Sequence, residues 1–260
     1  MGKFFTKTFK PSVVNGDVST VIQANADDLA FTAKDILFDW HALDIPRGTN
    51  AIVDGTIHAV GEDGGEQTDV DIILLIAKSL SGVAPTSLGA VNAARTGCFE
   101  LPQIIQGTMK FEGDTNQQGI QHIAFGSIWQ FNSTGNGGDI GPIIIEPEDM
   151  DFAGGQTQRI YVAGIAGGAI DFSTGVLLND ASDIADDAGT ALTTDGVDPR
   201  KCFQVGDVIY IHDVDTSIGT VASMTATNIT LTANNVGAIA DDDEFVGDTP
   251  ITIKLGFSKS

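Results

Sequence analysis

The clearest pattern in the chain lies between Phe203 and Val246, in the stretch FQVGDVIYIHDVDTSIGTVASMTATNITLTANNVGAIADDDEFV. Apolar residues come there in short alternating runs: Val208 and Tyr210, then Ile218 and Val221, then Ile229 and Leu231. A period of two puts such side chains on one face of a strand and the polar ones on the other. Between the runs stand Gly-Asp, Asp-Thr-Ser, Ala-Thr-Asn and Ala-Asn-Asn, which turn a chain by tolerating positive φ or by bonding their own backbone. The pattern predicts a meander of short antiparallel strands, a small barrel or sandwich in its own right.

The rest of the chain reads the same way. Phe4–Val14 is an opening segment, ended by an Asn15-Gly16-Asp17 turn, and Val18–Ala24 a second strand. Further strands are expected at Ala30–Leu37, Ala51–Val60, Val70–Ala77, Cys98–Ile105, Gly107–Phe111, Gln121–Phe131, Pro142–Ile145 and Arg159–Ile165. Val70–Ala77 is continuously apolar, which suits a central strand covered on both faces. Leu80–Ala94 reads as an irregular loop packed by its Leu and Val residues, and NSTGNGGDIGP as an exposed one. The one candidate helix, Asp180–Ala191, has few long apolar side chains and contains Gly189. Thr249–Phe257 resumes clean alternation at Ile251, Ile253, Leu255 and Phe257, so it is expected to return to the first sheet. The resulting fold class is all-β: an antiparallel, jelly-roll-like β-sandwich from residues 1–172 plus 248–260. A second small β-barrel or meander, residues 173–247, is inserted near the C-terminus. No repeat of 20–50 residues points to a propeller or β-helix.

Charge sharpens this division. The net charge is −22 over 260 residues. Between Asp171 and Pro250 fifteen acidic residues face only Arg200 and Lys201, whereas Lys3, Lys7 and Lys10 open the chain with no acid among them. Such acidity repels nucleic acid and anionic membranes. The opening MGKFFTKTFKPS is too short in apolar length for a signal peptide, and no run approaches a transmembrane helix. Two cysteines, Cys98 and Cys202, with no CxxC, read as reduced buried thiols.

Chemical signatures are sparse. GxSxG and HExxH are missing, His41, His58, His122 and His212 are scattered, and no GxGxxG opens a helix. No catalytic residue and no cofactor is nominated, and Cys98 reads as a small apolar core residue. Asp213, Asp215, Asp241 and Asp243 are weak candidates for Ca²⁺ through oxygen ligands. The EF-hand pattern fails there, because Met224 stands where the bidentate Glu belongs. Only Trp40 and Trp129 could make a platform for a sugar.

Two stretches carry a resemblance. DILFDWHALDIPRGTNAIVDGTIHAVGEDG, with PTSLGAVNAARTGCFELP downstream, resembles virion structural proteins of tailed phages, especially those of marine cyanobacteria. FQVGDVIYIHDVDTSIGTVASMTATNITL resembles small β modules inserted in phage head and tail proteins. The resemblance implies no enzyme. It implies a repeated part of a particle, decorating or cementing the outside of the head, located on the virion capsid surface and in the host cytoplasm during assembly. The implied partners are the lattice of the major capsid protein and further copies of the chain, with a homotrimer expected. Lys3, Phe4, Phe5, Lys7, Phe9 and Lys10 are then candidate capsid contacts, as a basic, aromatic arm. The alternatives are a tail or fibre component binding a host-surface glycan, or a carbohydrate-binding or carbohydrate-active β-sandwich protein.

Overall fold

A computed structural model of the chain describes residues 3–13, 31–48, 50–113, 120–123, 126–132, 142–146, 157–179, 183–212 and 217–259. The expected turn at Asn15-Gly16-Asp17, the strand Val18–Ala24 and most of the NSTGNGGDIGP loop lie outside them.

The protein is all-β, as the alternation predicts. One sheet runs in the order β1 (Lys3–Phe9), β16 (Ile251–Lys259), β3 (Asn50–Ala59), β7 (Gly126–Asn132), β6 (Ile120–Ile123), with β8 (Ile143–Ile145) also on β3. A second runs β2 (Ile36–Pro46), β9 (Thr157–Ala166), β4 (Ile72–Lys78), β5 (Ile105–Phe111). Every pairing is antiparallel. Setting the short β6 and β8 aside, eight strands remain, paired first–eighth–third–sixth and second–seventh–fourth–fifth, which is the connectivity of a jelly roll.

The two sheets share one core, built from the inward positions of both, including Phe9, Ile52, Ile57, Trp129, Leu255 and Phe257 with Leu74, Ile76, Met109, Phe111 and Val162. They press closely at Gly55 of β3. A Cβ there would meet Met109 at 2.8 Å and Phe111 at 3.0 Å from the opposite sheet. Each fully buried Phe, Leu or Ile contributes roughly 1.5–3 kcal/mol.

The third sheet is built wholly from residues 176–247. Its order is β10 (Val176–Leu178), β11 (Ala191–Gly196), β14 (Asn228–Leu231), β13 (Ser217–Met224), β12 (Val208–Ile211), β15 (Phe245–Gly247). A bridge between Leu177 and Glu244 brings its two ends together into a nearly closed barrel around a separate core of Val176, Leu192, Ile209, Ile218, Ile229 and Phe245. The chain leaves the sandwich after β9 and re-enters it with β16. The two crossing points touch, since Thr174 Oγ1 donates to the Phe245 carbonyl.

Several local expectations change. Cys98–Ile105 is not a strand: Cys98 has φ 54° and Leu101–Ile104 form one helical turn. Gln121–Phe131 is two strands, β6 and β7, paired antiparallel on either side of a Gly126 at φ +132°. β2 extends to Pro46, well beyond Leu37, with bulges after Ile36 and Phe38 that interrupt the alternation. No described residue of 183–191 is helical. The Asn235 side chain takes the backbone N–H groups of Ala188 and Gly189 instead, the competition by which polar side chains displace a helix. The expected irregular loop, Leu80–Ala94, lies within a longer one of residues 79–100. Leu88 and Val91 are buried, and the loop is clipped by Glu100, which accepts from Thr86 N and Oγ1. It lies along β2, an edge strand of the second sheet, through Asn92 N to the Ile36 carbonyl and Leu88 N to Asp39.

Candidate functional site

The six residues expected to form a contact arm lie in or directly after β1. All seven residues of that strand pair with β16, from Lys3 opposite Lys259 to Phe9 opposite Ile253. Phe5 stacks on Phe257 at 4.9 Å and 2° between planes. Phe9 is buried and stacks on His41 of the opposite sheet at 4.7 Å. Lys7 is half-buried and its charge helps depress the Asp44 carboxyl, which the Arg159 hydrogen bond lowers most. Lys10 ends in an ion pair with Asp207 of the barrel, 2.7 Å. Only Lys3 and Phe4 are exposed, Phe4 at 76%. A free adhesive arm is therefore the wrong picture: alternation aims Phe5 and Phe9 into the core, leaving Phe4 outside.

The acidic candidates divide. Asp213 and Asp215 lie outside the described residues. Asp243 Oδ2 accepts the Ala240 N–H at 2.7 Å, so this carboxylate closes its own turn, beside an Asp242 at φ 65°. Among the described residues no three His, Cys, Asp or Glu side chains converge as a metal site. Glu244 is also committed: its Oε1 takes Thr174 N at 2.6 Å and Gly175 N at 2.9 Å, fastening the entry of the barrel to its exit.

Neither thiol is activated. Cys98 and Cys202 are both free. Burial raises the Cys98 thiol, aided by the nearby Glu100 charge, and pushes Cys202 up to about 12. A reactive cysteine needs the opposite shift. The tryptophans do not form a sugar platform. Trp129 is fully buried, its Nε1 donating to the Val70 carbonyl, and Trp40 is half-buried with Nε1 on the Thr86 carbonyl.

One array escaped the sequence reading. His122 Nδ1 lies 2.8 Å from Ser127 Oγ and Nε2 lies 2.8 Å from Asp69 Oδ1. The β6–β7 register sets His122 opposite Ser127, and the loop before β4 brings in Asp69. Ser–His–Asp is the composition of a hydrolytic triad, but the geometry differs. The serine is fully buried, and its oxygen accepts the Gln67 N–H at 3.0 Å. A nucleophile needs an open approach and oxyanion donors. Here the array ties the 60–71 loop to the β6–β7 hairpin.

Between barrel and sandwich lies a cavity of about 20 Å³ lined by Val60, Phe172, Thr174, Cys202, Phe203 and Pro250, among others. That volume holds about one water molecule.

No protein-family model matches this chain, and no characterised protein aligns with it significantly.

Proposed function

We propose that this chain is a non-enzymatic structural protein of a tailed-phage particle that decorates or cements the outside of the head. The observation that carries this reading is the architecture: a jelly roll whose β9–β16 connection has been expanded into an acidic barrel, with Lys10 paired to Asp207 of the barrel and Thr174 bonded to Phe245 where the chain enters and leaves it. Jelly rolls occur in viral capsids as well as in lectins and cupins, so the fold supports the reading by analogy. The phage-like phrases at residues 35–64, 85–102 and 203–231 narrow the analogy to particles of tailed phages. The chemistry is compatible with a passive role. Asp243 closes its own turn, Glu244 fastens the barrel's entry, the thiols are suppressed, and the Ser–His–Asp array is sealed. In this reading the capsid lattice is the partner, and Lys3 and Phe4 are what β1 leaves available for contact.

Immunogold labelling of purified particles tests it. Gold distributed evenly over heads is expected. Gold confined to tails or fibres would favour a receptor-binding role, to be followed by a glycan screen. Particles without label would overturn the proposal.

A further inference from the structure

The two outer faces of the sandwich are unequal. The 79–100 loop lies along the second sheet, whereas the outward side chains of the first sheet include an exposed Phe4 at 76% and Ile144 at 64%. In an antiparallel ladder, residues directly opposite each other point to the same face. The register therefore maps this face. Phe4 is opposite Ser258, Gly256 opposite Asp54, Lys254 opposite Thr56, and His58 opposite Ile128. Stepping one strand over and two residues along each time, Phe4, Gly256, Thr56 and Ile128 fall on one diagonal. Lys254 flanks that diagonal on one side and Asp54 on the other.

These are the only acid and the only base on the outward positions of β1, β16, β3, β7 and β8. Neither forms an ion pair within the chain among the described residues. The other outward positions carry Phe, Thr, Ser, Gly, Ala, Gln, Asn, Ile and His58, whose pKa burial lowers. On a protein of net charge −22 this balance is exceptional. Two like-charged molecules associate most readily where neither presents excess charge.

We infer that the outer face of this sheet binds the same face of a second copy across a two-fold axis running along the Phe4–Thr56–Ile128 diagonal. Rotation about that axis sets Asp54 of each protomer against Lys254 of its partner and brings Phe4, Thr56 and Ile128 against their own copies. Such reciprocity is what an isologous contact requires. The area suffices. The face is four strands wide, with β7 and β8 end to end beside β3; at about 4.8 Å between strands and about 3.3 Å per residue, these strands span roughly 570 Å² per copy. The pair buries roughly 1,100 Å², just above the roughly 1,000 Å² expected of a specific interface. The inference puts a two-fold where the sequence suggested a three-fold, and it stands independently of the proposed role on a particle.

Sedimentation velocity on the full chain up to about 100 µM tests it. A dimer is expected. Asp54→Lys and Lys254→Asp should each weaken it at least about tenfold by facing like charges, and the combined swap should restore it to within about threefold. Thr56→Cys, on the axis, should give a disulfide-linked dimer in mild oxidant where the parent protein gives none. All these positions are on the surface, and unchanged thermal melts would show that the variants fold. A parent protein that stays monomeric, a trimer, or a dimer indifferent to both reversals would overturn the inference.

Discussion

Lys10 and Asp207, 197 residues apart in sequence, meet at 2.7 Å. The pair joins the end of the first strand to the barrel, and beside it Val13 N donates to the Asp248 carbonyl at 2.9 Å. Asp207 has a second duty: its other oxygen accepts the Gln204 N–H. Replacing Asp207 by Ala therefore strips a backbone donor as well as an ion pair. It should cost about 2 kcal/mol, against about 1 for Lys10→Ala. A double-mutant cycle in urea should show the two losses to be less than additive, and strict additivity would mean the pair does not form in solution.

The first strand makes a graded prediction. Phe9→Ala should cost about 3–5 kcal/mol because it empties a buried, stacked site. Phe5→Ala should cost less, and Phe4→Ala no more than about 0.5. Removing residues 1–10 should lower the melting temperature markedly, because β16 loses one of its two partners. An unchanged melt would show that β1 is dispensable.

Histidine burial sets a pH dependence. His41 and His58 both have pKa values lowered from 6.5 by desolvation. Above pH 6.5 neither the folded nor the unfolded chain protonates them, and their full contribution to stability is present. As pH falls from 6.5 toward the lower folded-state values, the unfolded chain takes up protons first and stability declines. His41→Phe, which keeps a ring against Phe9, should make that decline shallower in urea melts between pH 7.5 and 5.5.

Asp248 works in the other direction. Burial raises its carboxyl, the Thr249 hydrogen bond opposes that, and the Asp207 charge adds to it. A raised carboxyl costs stability above its folded-state pKa and stops doing so as pH falls through it. Asp248→Asn should thus stabilise at pH 7, by less than about 1 kcal/mol after solvent screening, with the gain shrinking in acid. Destabilisation at pH 7 would assign the carboxylate a partner it needs.

The barrel should be separable. Thr174 and Phe245 touch, so a short Gly/Ser linker can replace residues 173–247 without stretching the ends. The shortened chain should unfold in one cooperative transition, since β16 keeps both of its neighbours. A chain that cannot fold would show that the barrel supports the sandwich.

Thiol reactivity provides a further check. At pH 7.5 the native protein should react slowly with a thiol reagent at both cysteines and rapidly after denaturation. A fast native reaction would contradict the burial of Cys98 and the suppressed Cys202 thiol.

Strand content was legible because a half-buried strand must alternate. β3, β16 and the barrel runs at Val208, Ile218 and Ile229 announce themselves by that rule, and β4 and β9 by the continuous apolar run of a strand covered on both faces. β2 was misread where bulges shift its phase, and Cys98–Ile105 where a positive φ, which no side-chain pattern encodes, breaks the strand. Phe5 and Phe9 were visible as aromatics, but their stacking on Phe257 and His41 was not. A strand's period says which residues share a face without saying what that face meets. The Ser127–His122–Asp69 array joins residues from two separate segments through pairing and a loop, so its members carry no common spacing.

By itself, then, the sequence determined the class of structure, the acidity of the segment before the last strand and the return of that strand to the first sheet, because each follows from local periodicity or composition. Tertiary structure alone decided the jelly-roll order, the sealing of the serine, the fate of the opening strand and the balanced charge on the outward positions of the first sheet. Those depend on register between strands as far apart as Lys3 and Lys259, and register is settled by packing rather than by any one strand's own residues.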